Sequence, residues 1–165
     1  KYIGLATPSV FGNLINSFRL LSFSLSFNIS YRFGYYFRKS TISYSDLVNN
    51  GTGHIDYAKR WLQPGDEKFT DIPSFTYPVN SLRDMFFTNA EVNVLKADNI
   101  RLEYINIAYD IPFSTKGGVR KKLQAYINIS NLGILWRENR QHIDPDYPTS
   151  IRPMKTLAVG IRTTL

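Results

Sequence analysis

The sequence predicts an all-β chain, and within that class part of a transmembrane antiparallel up-and-down β-barrel. Three observations carry this. Apolar and polar residues alternate over unusually long stretches, and the connections between these stretches alternate in length. No run approaches the roughly 20 apolar residues that a membrane helix needs.

The longest alternation is LLSFSLSFNISYRFGYYF, residues 20–37. Its odd positions from Leu21 are apolar or aromatic (Phe23, Leu25, Phe27, Ile29, Tyr31, Phe33, Tyr35, Phe37), whereas the even ones from Ser22 to Gly34 are Ser, Asn, Arg or Gly. Successive side chains of a strand point to opposite faces, so this pattern is a strand with one apolar and one polar face. It predicts a strand over about 18–38, roughly three times the usual 5–6 residues. About seventeen residues of it, at about 3.3 Å each and a tilt of about 45°, rise roughly 40 Å, beyond an apolar band about 25 Å tall. Tyr31, Phe33, Tyr35 and Phe37, followed by Arg38 and Lys39, then read as an aromatic girdle with cations above it.

Three further segments alternate in the same way. In 99–111, Ile105, Ile107, Tyr109 and Ile111 oppose Asn106, Ala108 and Asp110. In 122–136, Leu123, Ala125, Ile127 and Ile129 oppose Gln124, Tyr126, Asn128 and Ser130. In 154–165, Leu157, Val159, Ile161 and Leu165 oppose Ala158, Gly160, Arg162 and Thr164. Phe23, Leu25, Phe27, Ile29, Ile105, Ile107, Ile127, Ile129, Val159 and Ile161 are the expected lipid-facing set. A weaker alternation at Ile42, Tyr44 and Leu47 does not define a strand.

Between the strands lie a long polar stretch at about 39–98, a turn at about 112–121 with Pro112 and Gly117–Gly118, and a medium loop at about 137–153. Long loops on one side and tight turns on the other are the habit of outer-membrane barrels, with the turns periplasmic. A structureless loop of about 60 residues is improbable inside a compact soluble domain. Four strands cannot close a barrel, and open sheet edges are not tolerated in hydrocarbon, so the unit is incomplete on its own.

Composition narrows the function. The 165 residues contain no cysteine, which excludes a disulfide framework, a thiolate metal site and a cysteine nucleophile. The net charge of +7 raises the question of nucleic acid. The cations are scattered, however, apart from Lys116, Arg120, Lys121 and Lys122, and no nucleic-acid motif surrounds that cluster, so no nucleic-acid partner is expected. The first residues lack signal-peptide architecture and read as a segment from the middle of a longer chain.

Six segments stand in an order that points to a family: TPSVFGNLINSFR at 7–19, RWLQPGDEKFTDIPSF at 60–75, ADNIRLEYINIAYDIP at 97–112, LQAYINISNLGILW at 123–136, DPDY at 144–147 and RPMKTLAVGIRTTL at 152–165. Together they resemble the C-terminal end of SusC/RagA-like TonB-dependent outer-membrane transporters. The first looks like that family's periplasmic turn entering a long strand. That family usually ends in an aromatic residue, where this chain ends in Leu165. The resemblance implies a parent barrel of about 22 strands around a plug, with its C-terminus periplasmic and its outside in lipid and lipopolysaccharide. It also implies import of glycans or peptides, a SusD-like surface lipoprotein and energy from TonB through parts absent from these residues. Arg32 and Arg162 would line the lumen or meet the plug.

Other readings are a non-transport outer-membrane barrel or adhesin, and a soluble β-sandwich whose second sheet covers the apolar faces. An enzyme is not expected: no nucleophile elbow is present, and no catalytic residue or cofactor is assigned. His54 and His142 lack metal-ligand partners at useful spacing, and Asp66, Glu67, Asp144 and Asp146 beside prolines read as turn-formers, so no metal is assigned. The long loop groups Tyr57, Arg60, Trp61, Lys68, Phe69 and Tyr77, whose aromatic faces suit sugar rings or a partner protein.

Overall fold

In the computed structural model, residues 2–112 and 122–164 are described. Among these residues there are seven strands: β1 (Val10–Leu20), β2 (Phe23–Phe33), β3 (Tyr36–Arg38), β4 (Val94–Lys96), β5 (Asn99–Ile111), β6 (Lys122–Arg137) and β7 (Thr156–Thr164). Five of them form one antiparallel sheet in the order β1-β2-β5-β6-β7, and β3 with β4 forms a separate two-stranded ribbon. The chain is thus predominantly antiparallel β-structure, and its sheet is open at β1 and β7.

The strand expected over 18–38 is corrected. The chain reverses at Leu21 and Ser22, and β1 returns along β2 from Leu20↔Phe23 to Val10↔Phe33. Leu21 takes a left-handed backbone, φ +52°. That position normally goes to Gly, Asn or Asp, so the usual two-residue turn signal is missing here. The segment 7–19 is therefore not a turn entering a strand but the approach to β1 and most of β1 itself. At its other end β2 stops at Gly34, φ +75°, whose N–H donates to the Asp98 carboxylate at 2.8 Å. A side chain at Gly34 would collide with Ser9 Oγ.

The two-residue turn that joins Leu20 to Phe23 lies at one end of the sheet, where Ile111 also meets Leu123 and Lys122 meets Thr164. The segments 34–98 and 138–155 leave from the opposite end. The turn at 113–121, with Lys116, Gly117, Gly118, Arg120 and Lys121, lies outside the described residues, as do the Lys122 side chain and Leu165.

The ladder shifts near its loop end. Asn28 pairs with Tyr104 but Ile29 with Leu102, leaving Glu103 as a bulged residue. On the other side Tyr104 pairs with Ser130 and Leu102 with Gly133. Asn131 adopts φ +56° and Gly133 φ +109°, the latter a backbone that only glycine takes without strain.

The long connection is not structureless. Helix α1 (Tyr44–Asn50) is N-capped by Ser43, and α2 (Ser81–Thr88) by Asn80. Ile42, Tyr44, Ile72 and Phe87 form a small core supported by Leu47, Val79 and Val92. The Asp84 carboxylate ties the helices by accepting from Ser45 N–H at 2.7 Å. The ribbon roots this unit on the sheet, where buried Tyr35 accepts a hydrogen bond at 2.9 Å from the Asn99 side chain. Tyr35 and Phe37 are thus withdrawn from the expected girdle: one is buried and the other pairs in the ribbon.

Tyr44 supplies the first test. Its hydroxyl donates to the Pro73 carbonyl at 2.5 Å, and its ring meets Phe75 edge-on at 5.5 Å. Burial holds its phenol above the usual 10.0, which favours the neutral form. Stability from this raised pKa is fully present below pH 10.0 and is lost as pH rises through the folded-state value. Tyr44→Phe should destabilise the loop unit by about 1 kcal/mol, read as faster hydrogen exchange of the α1 amides in the full-length protein. The variant should also lose the wild type's alkaline acceleration.

Candidate functional site

Directly paired residues of an antiparallel sheet share a face, so register sorts the side chains. Leu25, Ile107, Ile127 and Val159 form one row from β2 to β7. Phe27, Ile105, Ile129 and Leu157 form the next, and Phe23, Tyr109, Ala125 and Ile161 the row at the turn end. Ile29 joins this face beside Leu14 and Leu102. All ten residues expected to face lipid therefore lie on one side of the sheet.

This side is uncovered. Each strand packs chiefly on its sheet neighbours, and no second sheet overlies it among the described residues. Val159 remains 71% exposed and Ile161 70%, values that water tolerates poorly over so wide a patch. Aromatic rings edge it at both ends: Phe23 and Tyr109 at the turns, Tyr31, Phe33 and Trp136 towards the loops. Tyr31 and Phe33 stack at 5.8 Å, and Phe33 lies 6.3 Å from Trp136. Tyr31 also lies over Gly12, where a Cβ would come within 2.5 Å of its hydroxyl.

Eleven residues in β1 and in β2 rise roughly 26 Å at about 3.4 Å per residue and a tilt of about 45°.

The other face carries small and polar residues. Ser17 and Ser26 are paired here, as are Asn106 with Asn128 and Asn128 with Ala158. Near the turns, Arg19 bonds Asp110 at 2.7 Å, and Gln124 donates to the same carboxylate at 2.8 Å. Arg162 lies on this face with its guanidinium 5.6 Å from the Tyr126 ring, which itself covers Gly160.

Towards the loops the face becomes ionic. Arg32 grips both oxygens of Asp146 at 2.6 Å. Arg101 bonds Asp144 at 2.6 Å and Asp146 at 2.9 Å, and the bulged Glu103 accepts from Ser30 at 2.5 Å. The loop 138–155 is thereby strapped across the polar face. Arg32 is engaged by this chain's own loop, whatever else faces it.

Arg101, Glu103 and the acids of the strap form the cluster that sequence reasoning missed. One signal was present. Arg101 and Glu103 stand in the odd phase that Ile105 and Ile107 make apolar, while Ile100 and Leu102 stand in the even phase. Such a phase slip is the mark of a bulge.

The six loop residues expected to touch a partner do not form a single cluster. Arg60 stacks over Tyr57 at 3.9 Å and donates to its carbonyl at 2.8 Å. Trp61 donates through its indole to the Gln63 carbonyl, and Lys68 belongs to the short helical turn Asp66–Lys68. Phe69 is 88% and Tyr77 78% exposed, with no ring contact among the described residues. Asp66 caps Leu62 and Gln63 N–H groups. No group of three or more metal-ligating side chains gathers among the described residues.

No family model and no curated protein matches the chain. Among solved structures it is similar to a chain of the RagAB peptide importer in the open-open state, with TM-score 0.60 and 19% identity over 96% of this chain. What is shared is the fold. The chain spans 17% of the length of that neighbour.

The strap yields the second test. Arg101→Met leaves Asp144, only 10% exposed at its side chain, without its cation. The expected cost is about 3 kcal/mol, because a lone buried charge remains. Trypsin should then cut faster after exposed Arg140 in the full-length protein, whereas Arg101→Met with Asp144→Leu should recover much of the wild-type resistance.

Proposed function

We propose that this chain is a stretch of wall, with its outer loops, from an outer-membrane active transporter of the SusC/RagA-like kind. The observation that carries the reading is the register-locked division of the five-stranded sheet. An exposed apolar face of bilayer height, edged by aromatic residues at both ends, backs onto a face of small, polar and paired ionic groups. That is the pattern of a strand set with lipid on one side and a polar lumen on the other. A sandwich would need a second layer over Leu25, Ile107 and Val159, and the described residues provide none. Among the described residues no helix is long and apolar enough to cross a membrane, which has no bearing on spanning strands.

In this reading the open edges of β1 and β7 pair with further strands of a barrel of about 22, since unpaired backbone groups are not tolerated in hydrocarbon. The tight-turn end is periplasmic, and the helical loop unit stands outside the cell. Cargo is a peptide or glycan; the neighbour's cargo, by its description, is peptide. A plug within the barrel, a SusD-like lipoprotein over its mouth and TonB as the energy source complete the proposal. Arg162 would face the plug or lumen, and Tyr57, Arg60, Trp61, Lys68, Phe69 and Tyr77 offer the loop contacts. The chain catalyses no reaction of its own.

Arginine substitution tests the faces. Leu25→Arg and Ile107→Arg should block assembly in the outer membrane, because Arg at mid-bilayer costs about 2–4 kcal/mol. Ser26→Arg and Asn106→Arg, on the opposite face, should assemble at near wild-type levels. Heat-modifiable migration of the full-length protein from isolated outer membranes reads the difference, and equal behaviour of the two sets would refute the assignment.

A further inference from the structure

The strap encloses a cavity of about 460 Å³ against the polar face, lined by Arg32, Arg101, Glu103, Asp146, Arg152 and Lys155 among others. The cavity is held open by bonds already made. The left-handed turn at Asn131 places its side-chain amide 3.1 Å from the Met154 carbonyl, fastening the strap at one end. Asp144 and Asp146 fasten it at the other through Arg101 and Arg32. Those bonds also engage the acids: Asp146 is held by both arginines, and Glu103 accepts from Ser30.

Arg152 and Lys155 remain. Both are exposed, and neither has a hydrogen bond or ion pair among the described residues. Four cations thus line the cavity against two acids, and the surplus sits on the strap. Deeper in, Arg101 is only 9% exposed, yet its Nε has no hydrogen-bond partner among the described residues. A buried donor left unmet is costly, so an acceptor is expected there. The rim beside these cations is apolar, with Ile151 93% and Met154 85% exposed.

We propose that this cavity is a carboxylate-binding subsite, in which Arg152 and Lys155 receive the acidic group of a peptide and Ile151 and Met154 contact its apolar neighbours. Charge-assisted hydrogen bonds from paired cations are the strong kind, and carboxylate geometry suits them. The carboxylate comes from an acidic side chain or from a peptide C-terminus. The subsite deepens the transporter reading and rests on it, since the polar face is then the lumen through which cargo passes.

The test is calorimetry on the full-length protein in detergent, with three acetylated tripeptides as probes. One is leucine-glutamate-leucine amide, one leucine-glutamine-leucine with a free C-terminus, and one leucine-glutamine-leucine amide. At least one charged probe should bind roughly tenfold or more tightly than the neutral amide, and the better of the two names the source of the carboxylate. Arg152→Ala with Lys155→Ala should abolish that preference, and exposed residues without partners are safe to truncate. No binding at millimolar concentration, equal affinity for all three, or a preference that survives in the double variant would each overturn the subsite. The measurement needs neither membrane nor transport. A failure here beside a successful arginine scan removes the subsite alone, while a carboxylate preference beside a failed scan removes the wall.

Discussion

Everything in this molecule depends on one constraint, the satisfaction of backbone hydrogen bonds by an antiparallel ladder that runs from β1 to β7. From β1 to β7 the register fixes which side chains share a face, so a row such as Leu25, Ile107, Ile127 and Val159 is set by pairing rather than by packing. A slip of one residue would turn every row over. Among the described residues no apolar layer lies behind the sheet to resist such a slip. Its specification rests on the alternation itself, on the two-residue turn at Leu21 and Ser22, and on contacts made by the loops.

The bulge at Glu103 shows how the ladder serves the site. One extra residue in β5 moves Arg101 from the apolar phase to the polar face, where Asp144 and Asp146 are waiting. Without that bulge Arg101 would fall opposite Tyr31, and its guanidinium would stand on the face of Ile29 and Ile105. The matching irregularity in β6, with left-handed Asn131 and Gly133, makes room for the strap and pins Met154. A local break in pairing thus places a cation, anchors a loop and leaves a cavity beside it.

The loop unit between β2 and β5 obeys different physics. It is built on capped helices and a small core of Ile42, Tyr44, Ile72 and Phe87, and it reaches the sheet through the β3–β4 ribbon and the Asp98 and Asn99 contacts. Its order comes from burial in water, whereas the sheet's apolar face is left uncovered. Leu82, Met85 and Phe86 on α2 stay exposed all the same, so even this small core buries only one side of its second helix.

The alternation alone determined the all-β class and put the ten expected apolar residues on one side of the sheet, because period-two patterning is a local property of the chain. It also determined which connections are long. The sequence by itself did not reveal the hairpin at Leu21, since an apolar residue with a left-handed backbone leaves no turn signal and the alternation in 20–37 runs on through it. Nor did it reveal that Tyr35 is buried, that the loop has a core, or that Arg32 and Arg101 hold the DPDY segment. Those outcomes join residues far apart in the chain, Arg32 with Asp146 and Tyr35 with Asn99, and only the tertiary structure brings such groups within bonding distance.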